Sequence, residues 1–303
     1  MANTFLTPNV VARAALATLY ETTVMAPLVH RDYENEFVPG VGSTVSIRKP
    51  AVFEAKEFNR STGIEIQDVT ENSVDVTLNH IADVSFAVTA EDLTLNIQDF
   101  TEQLLAPAME AISQKIDRDI LSFRDDITAE VGQVAGDNLF EWNDPRVMID
   151  AGRVLTQANV PLTERRYVFG PIAAAHYQAD PLFHEADRRG DTEGLQEAAI
   201  GRKFGFDNYV TQNIRVPEQT SGNSTTEVGV AFHRTAVALV TRPLELPRGA
   251  QNAAIESYKG LSLRVVYDYD INKKQDIVSI DCLYGVKTLD ASRAVLVKGP
   301  DVV

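Results

Sequence analysis

The sequence predicts an α+β protein, because strand-like and helix-like stretches follow one another in no regular order. The clearest helical signal is one apolar stripe at about residues 105–127, and the clearest strand signals are the alternating runs at 43–48 and 73–79. The 303 residues show no regular strand–helix–strand alternation, which would predict a parallel sheet, and no internal repeat.

The chain opens with a predicted helix from Pro8 to Met25, followed by a stretch without periodicity from Pro27 to Gly42. Thr7 can act as the N-cap, and proline suits the first helical position because no backbone N–H is needed there. An aperiodic stretch of this length is usually functional or disordered rather than a plain connector. A monomer has no evident way of burying it, so we expect it to contact something outside its own fold.

Two alternating runs, at 43–48 and 73–79, are predicted as strands that flank an excursion of about 25 residues. Hairpin loops usually have 2–5 residues, so this excursion needs a special explanation. It is mostly polar, with charges of both signs and few large apolar side chains. We expect a long two-stranded flap that projects from the body, and then a third strand at 84–88 after a turn at 79–83.

The best helix of the chain is predicted from seven apolar residues spaced by 4, 3, 4, 4, 3 and 4 positions. At 100° per residue they fall within an arc of about 80°, which is a single narrow stripe, and about 23 residues make a rod of roughly 34 Å. Asp117 lies off the stripe, and we expect it on a solvated or inter-subunit face. The stripe consists of Leu105, Met109, Ile112, Ile116, Ile120, Phe123 and Ile127.

The part of the chain after residue 127 is predicted as shorter elements. Pro145 and Pro171 each suit the first turn of a helix, which gives helices at about 145–158 and 171–179. A third helix is expected at 195–202. Strands are expected at 167–169, 206–214, 228–232, 236–240, 261–269, 277–283 and 295–297, the fifth and sixth of these as an antiparallel pair.

Charge and cysteine content exclude several classes of protein. The net charge is −15, and residues 61–130 hold 15 acidic residues against 3 basic ones. Nucleic-acid binding needs clustered Lys and Arg, whereas the basic pairs here are short and scattered. The single cysteine, Cys282, excludes an internal disulfide and a multi-cysteine zinc site, and we expect it to be a buried thiol. The sequence contains neither a membrane span nor a secretory signal, so we expect folding in a reducing cytoplasm.

The search for catalytic motifs finds none of the familiar ones. Phosphate-binding glycine loops, the zinc-protease H-E-x-x-H motif and the G-x-S-x-G nucleophile motif do not occur. His176 and His184 flank Asp180, but Pro181 disfavours the helix that would bring these three ligands together. We therefore expect no cofactor and no metal. A compact monomer cannot bury the extended parts of the chain. These parts instead point to contacts with neighbouring subunits.

Several runs, taken in order, resemble the major capsid protein of tailed bacteriophages, which has the Hong Kong 97-type capsid fold. The resemblance is to the branch related to the coat protein of the Salmonella podovirus, and it covers essentially the whole chain. The order and spacing of the runs carry it rather than any single run. The runs are 6–16 (Leu-Thr-Pro-Asn-Val-Val-Ala-Arg-Ala-Ala-Leu), 29–37, 42–50, 167–171 (Tyr-Val-Phe-Gly-Pro), 231–239 and 283–288.

The resemblance implies a fold with an N-arm, an extended loop, a peripheral domain with a long spine helix, and an axial domain. The implied ranges are 1–42 for the N-arm, 43–88 for the extended loop with its strands, 89–139 for the peripheral domain with the spine helix, 140–250 for the axial domain and 251–303 for the return strands of the peripheral domain. The residues expected to contact a neighbouring subunit from the extended loop are Phe53, Lys56, Phe58, Arg60 and Ile64. Removal of residues 1–37 is expected to leave a folded core that forms no shells.

The function implied is self-assembly into hexamers and pentamers that form an icosahedral or prolate head shell around double-stranded DNA, with no sequence-specific DNA contact. No membrane is involved, and assembly would take place in the host bacterial cytoplasm. We see neither a long N-terminal extension nor an inserted immunoglobulin-like domain, so a separate scaffolding protein is expected. The resemblance also implies a portal, and it leaves open whether a decoration protein binds. The acidic residues would either line the inner wall or form an outer solvated surface.

Two other classes remain open from the residues alone. One is an α+β enzyme, such as a hydrolase, whose site has no recognisable motif, and the other is a different phage structural protein that forms rings or tubes. Particle size separates them, because an enzyme of this length usually forms small oligomers whereas a coat protein forms capsomers or shells.

Overall fold

The computed structural model describes residues 23–31, 44–48, 55, 57–58, 60–61, 63, 73–89, 106–132, 139–184, 200–214, 227–247, 252–258 and 261–299. The predicted helix at 8–25 therefore lies outside the described residues except for its last three. Phe53, Lys56, Ile64 and Leu105 also lie outside them.

The described residues form thirteen strands, four α-helices and four short 3-10 helices. The strands are β1 (Thr44–Arg48), β2 (Ser73–Thr77), β3 (His80–Thr89), β4 (Glu130–Val131), β5 (Arg165–Phe169), β6 (Arg202–Lys203), β7 (Phe206–Val210), β8 (Gly229–His233), β9 (Val237–Arg242), β10 (Asn252–Tyr258), β11 (Leu261–Asp270), β12 (Gln275–Thr288) and β13 (Ala294–Val297). The α-helices are α1 (Ala106–Leu121), α2 (Val147–Gln157), α3 (Pro171–Ala179) and α4 (Pro181–His184). The 3-10 helices are Ala26–Leu28, Ser122–Asp126, Arg234–Ala236 and Ala291–Arg293.

These strands form three sheets. The first is a two-stranded sheet of β1 and β2, and the second has the order β10-β11-β12-β3, with β9 also paired to the long strand β12. The third has six strands in the order β4-β13-β8-β5-β7-β6. Most pairs are antiparallel, whereas β4 with β13 and β5 with β7 are parallel. The mixture of sheets and helices confirms the predicted α+β class.

Helix α1 packs across one face of the five-stranded sheet. Its apolar stripe is buried from Met109 to Ile120. Phe123 of the 3-10 helix that follows α1, and Ile127 just after that helix, are also buried. The facing side chains come from alternate positions of β11 and β12, among them Val265 and Ile280. Burial of one continuous face therefore fixes the helix on the sheet.

The substitution Ile116→Ala is expected to lower the free energy of unfolding by about 2–5 kcal/mol, because it leaves a cavity in this core. Ile116 is fully buried, whereas Gln114 is half-buried and donates to the side chain of Glu110 at 3.5 Å on the helix surface. Gln114→Ala should therefore leave the stability nearly unchanged. Urea unfolding followed by circular dichroism measures both variants, and equal stabilities would contradict the packing of α1.

The second core lies between the six-stranded sheet and helices α2 and α3. Tyr167 of β5 and Tyr177 of α3 share a hydrogen bond of 2.9 Å between their hydroxyl groups in this core. Arg165 is buried and donates from Nε to the carbonyl of Pro161 at 2.8 Å, near the C-terminus of α2. The buried carboxylate of Glu227 accepts from backbone N–H groups at the N-terminus of α3, including that of Ala173 at 3.1 Å. The charges thus complement the dipoles of both helices.

Three predicted local structures are wrong. The expected turn at 79–83 is only two residues long, because β3 already begins at His80. Asp83 suggested a turn, but it lies on the exposed face of β3, where Ser279 of β12 donates to its carboxylate at 3.0 Å. Residues 200–202 of the helix predicted at 195–202 are not helical, and the rest of that range lies outside the described residues. The strand predicted at 206–214 ends at Val210. In β3, polar residues on the exposed face conceal the alternation that defines the strand.

Candidate assembly interface

The two-stranded sheet carries the long excursion that the sequence predicts as a flap. β1 and β2 pair in antiparallel register from Thr44 opposite Thr77 to Arg48 opposite Ser73. Residues 49–72 therefore leave and return at adjacent positions. This pairing is the geometry expected for an extended loop.

Two of the residues selected from the extended loop lie within the described residues, and both are exposed. Phe58 has 65% of its surface exposed, which is unusual for a large aromatic side chain, and Arg60 is also exposed. The other three, Phe53, Lys56 and Ile64, lie outside the described part of the chain, so the contact expected for all five stays a prediction.

The root of the loop is packed against the body. Ile47 of β1 and Val76 of β2 are buried against Val240 of β9. At Gly285 of β12, a Cβ atom would lie 2.2 Å from the backbone oxygen of Thr77, so the close crossing of β2 over β12 requires glycine. The strands that carry the loop are therefore fixed relative to the five-stranded sheet.

Residues 23–31, which we call the strap, are buried in the main core, contrary to the expectation that a monomer cannot bury this region. Met25, Leu28 and Val29 are each at most 3% exposed. The backbone of His30 pairs with β9, donating to the carbonyl of Val237 at 3.1 Å and accepting from the N–H of Leu239 at 3.0 Å. The strap is therefore part of the body. Its lack of periodicity reflects burial through tertiary contacts rather than through a helix or a long strand.

Asp117 of α1 is fully buried, so its expected place on a solvated or inter-subunit face is wrong. Its carboxylate accepts from the backbone N–H groups of Val24 at 3.1 Å and Met25 at 3.0 Å, and from the side chain of Asn213. Next to this contact, the hydroxyl groups of Thr23 and Ser113 lie 3.0 Å apart. Burial raises the pKa of Asp117 from 3.8 to about 6.

This buried carboxyl group makes a measurable contribution to the pH dependence of stability. Its pKa is higher in the folded chain than in the unfolded chain, so its contribution is fully present below about pH 4 and is lost as the pH rises through about 6. The difference in unfolding free energy between the wild type and Asp117→Asn should therefore fall by up to about 3 kcal/mol over this interval. Urea unfolding at a series of pH values measures it, and parallel pH profiles would contradict the buried titration.

In the part of the chain that the structure describes, the remaining titratable groups do not form a metal site or a reactive thiol. Cys282 is buried, and burial raises the pKa of its thiol to about 12. Among the described residues, no three His, Cys, Asp or Glu side chains are grouped so that they could hold a metal ion. No helix in the described ranges is long and apolar enough to cross a membrane.

Solved structures with the same architecture come from phages and virus-like particles. A structure from Mycobacterium phage Che8 is 23% identical, covers 90% of this chain and 90% of its own, and has a TM-score of 0.67. The mature capsid of bacteriophage PhiM1 is 13% identical, covers 93% and 88%, and has a TM-score of 0.63. The virus-like particle from Pyrococcus furiosus is 11% identical, covers 95% and 97%, and has a TM-score of 0.55. No curated protein matches the sequence.

The fold is therefore that of phage capsid proteins, the Hong Kong 97-type fold, as the sequence resemblance implies. The model of the family described as P22 coat protein, gene protein 5, matches residues 1–238, and the chain belongs to this family. It is a major capsid protein of the phage head shell rather than an enzyme. The alternatives of a hydrolase-like enzyme and of a ring or tube protein no longer stand.

Proposed function

We propose that the chain builds the head shell as hexamers and pentamers that enclose double-stranded DNA, and that residues 49–72 extend over a neighbouring subunit. The observation that carries this proposal is the contrast within the extended loop. Its root is buried at Ile47 and Val76, whereas Phe58 beyond the root is 65% exposed. A large aromatic side chain gains little from such exposure, so burial against a neighbour supplies the missing contact.

We propose the domain roles implied by the family for the five ranges of the chain. Residues 1–42 act as the N-arm, 43–88 as the extended loop, 89–139 as the peripheral domain with α1 as spine helix, 140–250 as the axial domain and 251–303 as the peripheral return strands. Two strands from outside the axial range, β4 and β13, complete the six-stranded sheet. The six-stranded sheet therefore contains strands from more than one of the proposed domains, which connects these domains to one another.

We also propose that the chain has partners other than further copies of itself. Because one chain must occupy both hexamers and pentamers, a separate scaffolding protein would set the curvature of the growing shell. A portal and a decoration protein complete the proposed set, and assembly takes place in the host bacterial cytoplasm. The DNA is enclosed without sequence-specific contacts, in keeping with the net charge of −15.

The substitution Phe58→Ser tests the proposed loop contact. Because Phe58 is exposed in the monomer, the variant should melt at the temperature of the wild type. Its shell yield should fall about tenfold or more, as for the loss of an aromatic hot spot. Phe58→Leu keeps an apolar side chain and serves as the control that should still assemble. Sedimentation separates shells from capsomers, and a normal shell yield from Phe58→Ser would contradict the proposed contact.

A further inference from the structure

The root of the extended loop crosses the body at one residue pair. Gly285 of β12 lies opposite Val240 of β9, and Val240 is the residue against which Ile47 and Val76 of the loop strands are buried. At Gly285 itself, a Cβ atom would lie 2.2 Å from the backbone oxygen of Thr77 in β2. The root therefore rests on a side chain at Val240 and on bare backbone at Gly285.

The backbone of β12 does not itself require glycine at this position. The φ angle of Gly285 lies outside the left-handed region, so alanine could adopt the same backbone conformation. Glycine inside a strand is less stable than alanine, because it loses more conformational freedom on folding. A glycine in such a place often marks the close approach of another backbone. What this glycine permits is the approach of Thr77, although it weakens the strand that carries it.

The preceding residue of β12 connects the same crossing to helix α1. β2 and β3 are joined by only two residues. His80, at the start of β3, stacks its ring on that of Tyr284, with 5.6 Å between the ring centroids and 24° between the ring planes. The hydroxyl group of Tyr284 donates to the carboxylate of Asp119 in α1. Tyr284 and Gly285 therefore hold the loop root relative to both the five-stranded sheet and α1.

A side chain at position 285 would displace the loop strands rather than β12. β12 is paired with β3, β9 and β11, whereas β1 and β2 form a two-stranded sheet of their own. The gap between the Cβ atom and the oxygen of Thr77 would have to widen from 2.2 Å to about 3.4 Å, where ordinary contacts begin. Because residues 49–72 continue from β1 and return to β2, this displacement changes the direction in which they leave the body.

We propose that Gly285 is a positioning residue for assembly, which sets the direction in which the extended loop leaves the body, and that the stack of His80 on Tyr284 holds this direction. The inference rests on the proposed contact of residues 49–72 with a neighbouring subunit. A closed shell repeats such a contact around its symmetry axes, so an error in the direction of the loop recurs at every copy. A loop that leaves at another angle would therefore meet its neighbour in the wrong place throughout the shell.

Gly285→Ala tests this role in the full-length chain. The variant should keep a cooperative thermal transition, because the cores of the two larger sheets are unchanged. Its shell yield, measured by sedimentation, should fall about tenfold or more, as for the loss of a hot-spot contact. Gly152→Ala in α2 is the matched control, since a Cβ atom there would lie 3.6 Å from the ring of Phe206, which is an ordinary contact. This control should assemble like the wild type.

A distance measurement separates a change in loop direction from a general loss of stability. Arg60 of the loop and Ile271, between β11 and β12, are both exposed, so each can be replaced by cysteine and spin-labelled. The native thiol of Cys282 is buried and should stay unlabelled. Double electron–electron resonance on unassembled subunits then gives the distance from the loop to the body.

The labelled chains should differ in a defined way. In Gly285→Ala the mean distance should shift by at least the amount by which the gap to Thr77 widens, whereas Gly152→Ala should leave the distance unchanged. His80→Ala removes the ring stack, so it should broaden the distance distribution and lower the shell yield while the chain still melts cooperatively.

An unchanged distance in Gly285→Ala, or normal shells from this variant, would overturn the inference while leaving the proposed shell function intact. Failure of Gly285→Ala to fold would assign the glycine to the stability of the monomer and would overturn its positioning role as well. A distribution of wild-type width in His80→Ala would reject the role of the stack, whether or not the glycine variant folds. A wild-type chain that forms no shells would instead reject the proposed function.

Discussion

A chain that lacks residues 1–31 is expected to lose its cooperative thermal transition, whereas a chain that lacks only residues 1–22 should keep it. The strap places Met25, Leu28 and Val29 in the main core. Burial of each such side chain contributes about 1.5–3 kcal/mol, and a domain has only about 5–15 kcal/mol in total. Removal of the strap also leaves the buried carboxylate of Asp117 without its two backbone donors. Circular dichroism during heating measures the effect directly.

This result would separate two functions of the N-arm that the sequence alone treats as one. The chain that lacks residues 1–22 should remain folded but form no shells, so the assembly function would lie before the strap. If the chain that lacks residues 1–31 melts as cooperatively as the wild type, the strap contributes nothing essential to the core. The burial of Met25, Leu28 and Val29 contradicts the premise that residues 1–37 could be removed without harm to the fold.

Replacement of residues 54–69 by a short Gly-Ser turn is expected to abolish shells while leaving a monomer that melts cooperatively. β1 and β2 are paired over all five positions of each strand, so a short turn can join them without a change of register. Their buried contacts with β9 lie at the root and remain in place. Sedimentation should then show only monomers or small oligomers. Closed shells from this variant would contradict the assignment of the loop to the assembly interface.

The sequence predicts those elements whose burial follows a regular period. The stripe of α1 is visible because Ile112, Ile116 and Ile120 recur every four residues, and β1 is visible because alternate residues are apolar. Helix α3 is bounded by proline at both ends, with Pro171 in its first turn and Pro181 just beyond its C-terminus. In each case the local pattern and the final packing agree.

Features that depend on tertiary contacts cannot be predicted from a regular period in the sequence. The strap has no period, because its side chains are buried by α1 and β9 rather than by one face of an element. Asp117 looks like a surface residue until the backbone N–H groups of the strap supply its partners. The short connection between β2 and β3 likewise carries no sign that the two strands enter different sheets. Sequence-distant partners decide each of these features.

The extended loop likewise combines a feature that the sequence predicts with features that it cannot predict. Its existence follows from the spacing of two strands, but the contacts that we propose for Phe58 and Arg60 depend on a second subunit.

A cryo-electron microscopy map of shells assembled from the full-length chain, at a resolution that traces the backbone, tests the proposed assembly most directly. We expect closed shells of hexamers and pentamers in which residues 49–72 lie on a neighbouring subunit, while the strap and α1 of each copy stay packed together. Loops that fold back onto their own subunit would contradict it. Particles that are only tubes or small oligomers would contradict it as well.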